Sequence, residues 1–400
     1  MTDLSFAPLR LKKGQERRIR QGHVWVYGSE VDRAQTPLEA LSPGQAIELQ
    51  MHNGRVLGTG YANPKSLICA RLVSRDPKHP FSPSLLVHRL KVALSLRERL
   101  YAQPYYRWVH GESDGLPGVI IDRFGPVVVI QIGTAGMESM REALIAAVDK
   151  VVSPETIVLR NDGKGREREG LSSYVEVVHG QLDDIIWVQE QGLRFGVSLS
   201  QGQKTGWFYD QRDNRARAAR YAEGLRVLDV FPYVGGFGLT AASHDAAHVT
   251  FVDASEHALE RVADNAEANN LETPIEFLQG DAFEVLKALR EDRQHFDLVM
   301  VDPPAFIPRR KDQSAGEAAY RRINQAAMQL LSRDGYLVTS SCSSHLERAK
   351  FQTMLGQSAR HLDRDIQILE HGYQAPDHPI HPSIPETDYL KMIVARITHH

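Results

Sequence analysis

From about residue 190 onward, short apolar runs recur between longer amphipathic stretches: RVLDVF (226–231), HVTFVD (248–253), IEFLQGD (275–281), FDLVMVD (296–302) and GYLVTSS (335–341). Runs this short are strands rather than helices. Their near-continuous apolar character predicts burial on both faces, which is the mark of parallel strands covered by helices. Two further runs, DIQILEH (365–371) and YLKMIVARI (389–397), are separated by a Pro/His-rich loop and are expected to pair, one of them running against the rest. The expected fold class is therefore α/β, with a doubly wound, mostly parallel Rossmann-like sheet over residues 191–400.

The chain before it has two other textures. Residues 1–75 contain the alternating segments VWVYGSEV and QAIELQ, the turn signals SPGQ and HNGR, and then VLGTGYANP and LICARLVS, which together predict a small barrel or curled sheet. Arg10, Lys12, Lys13, Arg17, Arg18 and Arg20 cluster at its start, as a solvated charge run or a phosphate-contacting patch. RDPKHPFSP marks a boundary at 75–83. A helix at about 84–102, a hairpin of GVIIDRFG and VVVIQIG, a helix at 138–151 and strands TIVLRN and SYVEVVHG then predict a ββαββ module over 76–190.

Composition narrows the class. The 47 basic and 50 acidic residues leave a formal charge of −3, so a nucleic-acid site must be a local patch. Two distant cysteines form no disulfide framework and no CxxC zinc pair. The N-terminal stretch has no apolar h-region and no segment is long and apolar enough to span a bilayer, so a cytoplasmic protein with no membrane partner is expected.

Candidate chemistry collects at the carboxyl ends of the predicted strands, where open α/β sheets bind ligands. The first strand runs into DVFPYVGGFGLTAA, offering Asp229, Phe231, Gly235, Gly236 and Gly238. Asp253 ends the second strand, placed for ribose hydroxyls, and Asp281 the third, within reach of an adenine edge. Either acid would serve equally as a helix N-cap, but glycines, Asp and Asp on three successive strands form a nucleoside pocket. The fourth strand ends in DPPAF, where Pro303 and Pro304 hold Asp302 and Phe306 rigid against a planar substrate, with Arg309, Arg310 and Lys311 beside them for phosphates. The fifth ends at Cys342, flanked by Ser341 and Ser343. Its expected neighbour is the Asp302 strand, about 5 Å away. Cys69, inside LICARL, reads as packing; Cys342, at the rim, reads as a nucleophile.

With GESDGLPGVIIDRFG, KTGWFYDQRDNR, FPYVGGFG, DPPAF, SCS and the late DHPI…YLK, the chain resembles the ribosomal RNA large subunit methyltransferase I group along its whole length. That resemblance implies a PUA-like RNA-binding domain at 1–75 and an S-adenosylmethionine-dependent RNA cytosine-5 methyltransferase, with large-subunit ribosomal RNA as partner and no metal. A homodimer is compatible with it. By position it implies cofactor contacts from Lys204, Tyr209, Asp229, Phe231, Gly235, Gly236, Asp253, Asp281 and Asp302. It also implies that Asp302 holds the target base and Cys342 attacks. Unlike two-cysteine RNA cytosine methyltransferases, DPPAF lacks a second cysteine, and the eliminating base has no candidate.

Three rivals remain open at this level. Methylation of a ring or exocyclic guanine or adenine nitrogen would use DPPAF and no thiol. A nicotinamide dehydrogenase would use the glycine turn and Asp253, and an inert scaffold would bind RNA without cofactor. His371, His378 and His381 are a weak metal set, unsupported by cysteines or clustered carboxylates.

Overall fold

The computed structural model describes residues 5–199 and 206–399. The chain divides into two compact units, one of Met1–Asp184, Leu199–Trp207 and Pro376–Thr387, the other of Ile185–Ser198, Phe208–Ala375 and Asp388–His400.

The first unit carries two five-stranded sheets. Strands β1 (Ala7–Arg10), β2 (Trp25–Tyr27), β3 (Gln45–Gln50), β4 (Val56–Ala62) and β5 (Ile68–Ser74) form the order β1-β3-β4-β5-β2, with the short helix α1 (Glu16–Arg20) between the first two. Leu9, Ile19, Val26, Ile47, Leu49 and Leu72 fill its core. Of the basic cluster, Arg18 is committed to Glu30 at 2.9 Å. Helix α2 (Pro83–Leu100) starts on Ser82, whose hydroxyl caps the Leu85 amide at 3.3 Å, and Pro83 supplies a first-turn residue with no amide to satisfy.

The second sheet takes β6 (Tyr105–His110), β7 (Val119–Phe124), β8 (Val127–Ile132), β9 (Thr156–Asn161) and β10 (Tyr174–His179) in the order β10-β9-β8-β7-β6, with α3 (Ala135–Glu138) and α4 (Arg141–Val152) crossing between β8 and β9. The ββαββ pattern predicted for 76–190 is present. To it the structure adds β6, whose Tyr106, Trp108 and Val109 are buried while Arg107 bonds Asp122 at 2.6 Å. The late DHPI sequence also belongs to this unit. Arg97 donates to the Asp377 carbonyl at 2.7 Å, the Arg107 amide donates to Asp377 Oδ2 at 2.9 Å, and His378 hydrogen-bonds Asp377 at 2.8 Å.

In the second unit, hairpin β11 (Ile186–Glu190) and β12 (Leu193–Val197) precedes α5 (Arg212–Ala219) and the large sheet. The expected boundary at 190/191 falls at this hairpin's tip. The sheet comprises β13 (Arg226–Val230), β14 (His248–Asp253), β15 (Ile275–Gln279), β16 (Phe296–Val301), β17 (Leu331–Ser341), β18 (Arg364–Gly372) and β19 (Lys391–His399), in the order β15-β14-β13-β16-β17-β19-β18. Helices α6 (Gly236–Ala242), α7 (Glu256–Ala268), α8 (Ala282–Glu291), α9 (Gln313–Leu330) and α10 (Arg348–His361) make its crossovers. All pairings from β15 to β17 are parallel; β19 alone runs against its neighbours β17 and β18. This is the doubly wound, mostly parallel sheet the apolar runs predict. Its strand order reverses between β13 and β16, which is where such sheets open a crevice for ligands. No helix among the described residues is long and apolar enough to cross a membrane.

Candidate active site

The crevice is built from a strained turn. After β13 the chain passes through Phe231 (φ 67°), Tyr233 (φ 55°) and Gly235 (φ 90°), three left-handed residues within five positions, before α6 begins at Gly236. Left-handed φ at two aromatic residues costs about 1–3 kcal/mol each and persists only where the surroundings enforce it. Here the enforcement is visible. Gly235 N–H donates to Pro232 O at 2.8 Å, Asn265 Nδ2 to Val234 O at 3.0 Å, and Phe208 packs edge-on to Tyr233 at 5.5 Å. A Cβ on Gly238 would lie 2.3 Å from the Phe251 ring and 2.9 Å from Asp229 Oδ2, so only glycine lets α6 approach this closely.

Three carboxylates face the turn. Asp229, fully buried at the end of β13, accepts the Gly238 amide at 2.7 Å. Burial, with a smaller contribution from Asp302 and Asp253, pushes its carboxyl up to about 7 despite that bond. Asp253 ends β14 and accepts the Ser255 amide at 2.9 Å, and burial raises it too. Asp302 follows β16, and its Oδ1 accepts Gln211 Nε2 at 2.8 Å. Asp281 is different. It is exposed and caps α8, its Oδ1 accepting from Phe283 at 2.9 Å and Glu284 at 3.3 Å. The cap on α7 is Ser255 instead, which leaves Asp253 outside that duty.

The segment leading into α5 is locked. Arg215 is paired with buried Glu190 at 2.6 Å and donates to Phe208 O at 2.9 Å; Arg212 lies over the Tyr209 ring at 5.3 Å; Tyr389 donates to Asp210 at 2.5 Å. Tyr209 is buried beneath this. Gln211, itself buried and held by Asn214 at 2.6 Å, is the residue that reaches Asp302. The sequence pattern gave no reason to single it out. Lys204 lies outside the described residues.

Cys342 follows β17 directly and is half-buried, whereas Cys69 is buried within β5 with its thiol pushed up to about 12, chiefly by burial. Strands β16 and β17 are parallel neighbours, and Val301 pairs with Thr339, so Asp302 is level with Ser340 and Cys342 lies two residues further on. The flanking serines are struts. Ser343 Oγ hydrogen-bonds Tyr320 at 2.9 Å and accepts the Ile307 amide at 3.2 Å, while Ser341 Oγ accepts the Ser343 amide at 3.3 Å. Lys391, buried and registered opposite Ser341, donates to Ser343 O at 2.6 Å and Tyr389 O at 2.8 Å. It is the second residue that the linear pattern did not expose.

Around DPPAF, Pro303 is buried and Pro304 exposed, and Phe306 packs edge-on to Tyr320 at 4.9 Å, within the core of this unit. Arg309, Arg310 and Lys311 are exposed, and Arg309 is paired with Asp312 at 2.8 Å. Among the described residues no three His, Cys, Asp or Glu side chains converge as metal ligands.

Comparison with known proteins now adds to the geometry. A PUA-like domain model matches residues 9–75, and an S-adenosylmethionine-dependent methyltransferase model matches residues 164–381, more than half the chain. Ribosomal RNA large subunit methyltransferase I of Shewanella frigidimarina is 34% identical over 97% of this chain and 99% of its own, and that of Salmonella arizonae 36% identical over 98% of each. This chain belongs to the ribosomal RNA large subunit methyltransferase I family. A Streptococcus mutans protein described as a SAM-dependent methyltransferase superposes with a TM-score of 0.82 at 20% identity, covering 98% of this chain and 100% of that one. The methyltransferase SMU.776, solved with S-adenosylhomocysteine, gives a TM-score of 0.83 at 20% identity over the same shares. At that identity they share the fold. As a member of the methyltransferase I family the chain is an S-adenosylmethionine-dependent methyltransferase, and the crevice fits a cationic cofactor. A glycine turn brings backbone close, and three carboxylates gather at it, two of them raised by burial.

Proposed function

We propose that the enzyme methylates C5 of a cytosine in large-subunit ribosomal RNA, with Cys342 as nucleophile and Asp302 holding the base. The observation that carries this reading is the half-buried thiol at the carboxyl end of β17, one strand from Asp302 and two strands from the glycine turn.

Cytosine C5 needs activation. Attack of the Cys342 thiolate on C6 pushes electron density to C5, and Asp302, aimed by Gln211, stabilises the polar edge around N3 and the amino group as the adduct forms. S-adenosylmethionine supplies an electrophilic methyl group when bound. Asp229, Asp253 and the turn from Phe231 through Gly235 to Gly236 hold that cofactor, with Tyr209 backing it and Asp281, already capping α8, offering its remaining oxygen. Loss of the C5 proton then expels the cysteine. Pro303, Pro304 and Phe306 form the stiff wall beneath the base, and Arg309, Arg310 and Lys311 supply exposed cations for the RNA backbone.

The PUA-like domain supports an RNA substrate. Within the first unit, Arg75, Arg89, Ser113 and His381 line a cleft of about 600 Å³. Among the described residues Arg75 has no carboxylate within ion-pair distance, and the buried Nε of Arg89 has no hydrogen-bond partner. Such cations suit phosphates.

The test is transfer of labelled methyl to bulk ribosomal RNA, with the nucleoside identified after digestion. Label in 5-methylcytidine, lost by at least 10³-fold in Cys342→Ala, is expected. Label in a methylated guanosine or adenosine would move the chemistry to Asp302 and Phe306 and leave Cys342 without a role.

A further inference from the structure

We propose that Lys391 holds Cys342 as its thiolate, its ammonium being the counter-charge from which the sulfur attacks and to which it returns. This rests on the reading of Cys342 as nucleophile. It concerns how that thiol is kept ionised.

β19 runs antiparallel to β17, and Lys391 pairs directly with Ser341, so its side chain leaves the sheet on the same face as that of Ser341, one residue before Cys342. Its ammonium is then carried past the thiol-bearing residue to the Ser343 carbonyl at 2.6 Å and steadied by Tyr389 O at 2.8 Å. Two of its three N–H donors are thereby used on neutral carbonyls, one of them that of the residue after Cys342.

Burial makes this placement costly. Lys391 is 4% exposed, and among the described residues no carboxylate lies within ion-pair distance of it. A buried ammonium without a counter-ion is unfavourable by several kcal/mol, so its retention calls for an anion nearby. Arg348, which donates to Gly372 O at 3.0 Å and Leu390 O at 3.1 Å, is a second cation, and among the described residues Asp388 is the carboxylate acting on it. Cys342 acts on it more strongly than either, and from α9 the Tyr320 hydroxyl also feels Cys342. With Arg348 beside Lys391, the positive charge at this end of β17 favours a thiolate.

Proton accounting is simple. Thiol plus amine and thiolate plus ammonium contain the same protons, so the pair ionises by moving one proton from Sγ to Nζ. Burial brings the lysine down to about 8, and Cys342 opposes that shift. When sulfur bonds to C6 the ammonium keeps its proton. When C5 later loses its proton to a base and the C6–S bond breaks, the electron pair returns to sulfur beside the same ammonium. Lys391 is thus a positioning residue for both steps and touches neither base nor methyl group.

The test is the pH dependence of Cys342 alkylation by iodoacetamide in the full chain, read by mass mapping so that buried Cys69 does not interfere. In the wild type the midpoint is expected at least one pH unit below about 8.5, the ordinary cysteine value. In Lys391→Met, with folding checked by S-adenosylmethionine binding, it is expected to rise by a unit or more. A folded Lys391→Met with an unmoved midpoint overturns the proposal. So does a wild-type midpoint at or above 8.5, a reading that needs no variant to fold. Retained methyl transfer in Cys342→Ala would instead sink the nucleophile reading while leaving the alkylation result standing, so the two failures are distinguishable.

Discussion

With Asp229 holding the cofactor as proposed, one buried carboxyl ties cofactor charge to pH. Its native value near 7 exceeds its unfolded value of about 3.8, so between those limits the folded protein binds more protons than the unfolded chain. The sign follows: this group's contribution to stability is fully present below about 4, falls as pH rises toward 7, and is lost above it. A cationic ligand reverses the preference by favouring the carboxylate. Affinity for S-adenosylmethionine should therefore increase as pH rises through 7, whereas affinity for the neutral thioether S-adenosylhomocysteine should change less. Calorimetric titration of both ligands from pH 5.5 to 8.5 checks this; parallel curves would remove Asp229 from the charge balance. Gln211 and Lys391 belong to the same scale. Each reaches its partner across a long sequence separation, Asp302 from 91 residues away and Ser343 from 48, and a linear reading has no access to such pairs.

At the scale of elements, the turn from β13 to α6 carries strain that a glycine would relieve. Tyr233→Gly is expected to raise unfolding free energy by about 1 kcal/mol and to weaken S-adenosylmethionine binding several-fold, as lost preorganisation trades against lost strain. Denaturant melts alongside binding titrations decide it, and a variant neither stabilised nor weakened would mean the turn is not under load. The strands of the main sheet were legible because burial on both faces writes itself as apolar runs; HVTFVD coincides with β14 to the residue. Others were not. β6 escaped notice because Arg107 and His110 interrupt its apolar positions, the Arg107 charge being compensated only in three dimensions, by Asp122. β17 starts at Leu331, through the polar Ser332, Arg333 and Asp334, because Leu331 pairs with Phe296 ahead of a register shift. Asp253 and Asp281 looked alike in sequence, and only the cap hydrogen bonds separate them.

For the molecule as a whole, a formal charge of −3 means that RNA must be met by selected cations. Arg75→Glu with Arg89→Glu is expected to weaken binding of ribosomal RNA fragments at least tenfold and to lower the slope of log affinity against log salt by about 1–2. Filter binding at several salt concentrations measures both, and an unchanged slope would place the backbone contacts elsewhere. The burial of Cys69 has a practical side. With one thiol sealed in the core of the first sheet and the other half-buried at the end of β17, the sequence is already a single-handle protein. A maleimide dye or spin label would report from the carboxyl end of β17 without engineering. If Cys342 attacks C6 as proposed, a cytosine analogue bearing fluorine at C5, from which no proton can depart, would leave the chain covalently fastened to its own substrate at one known atom.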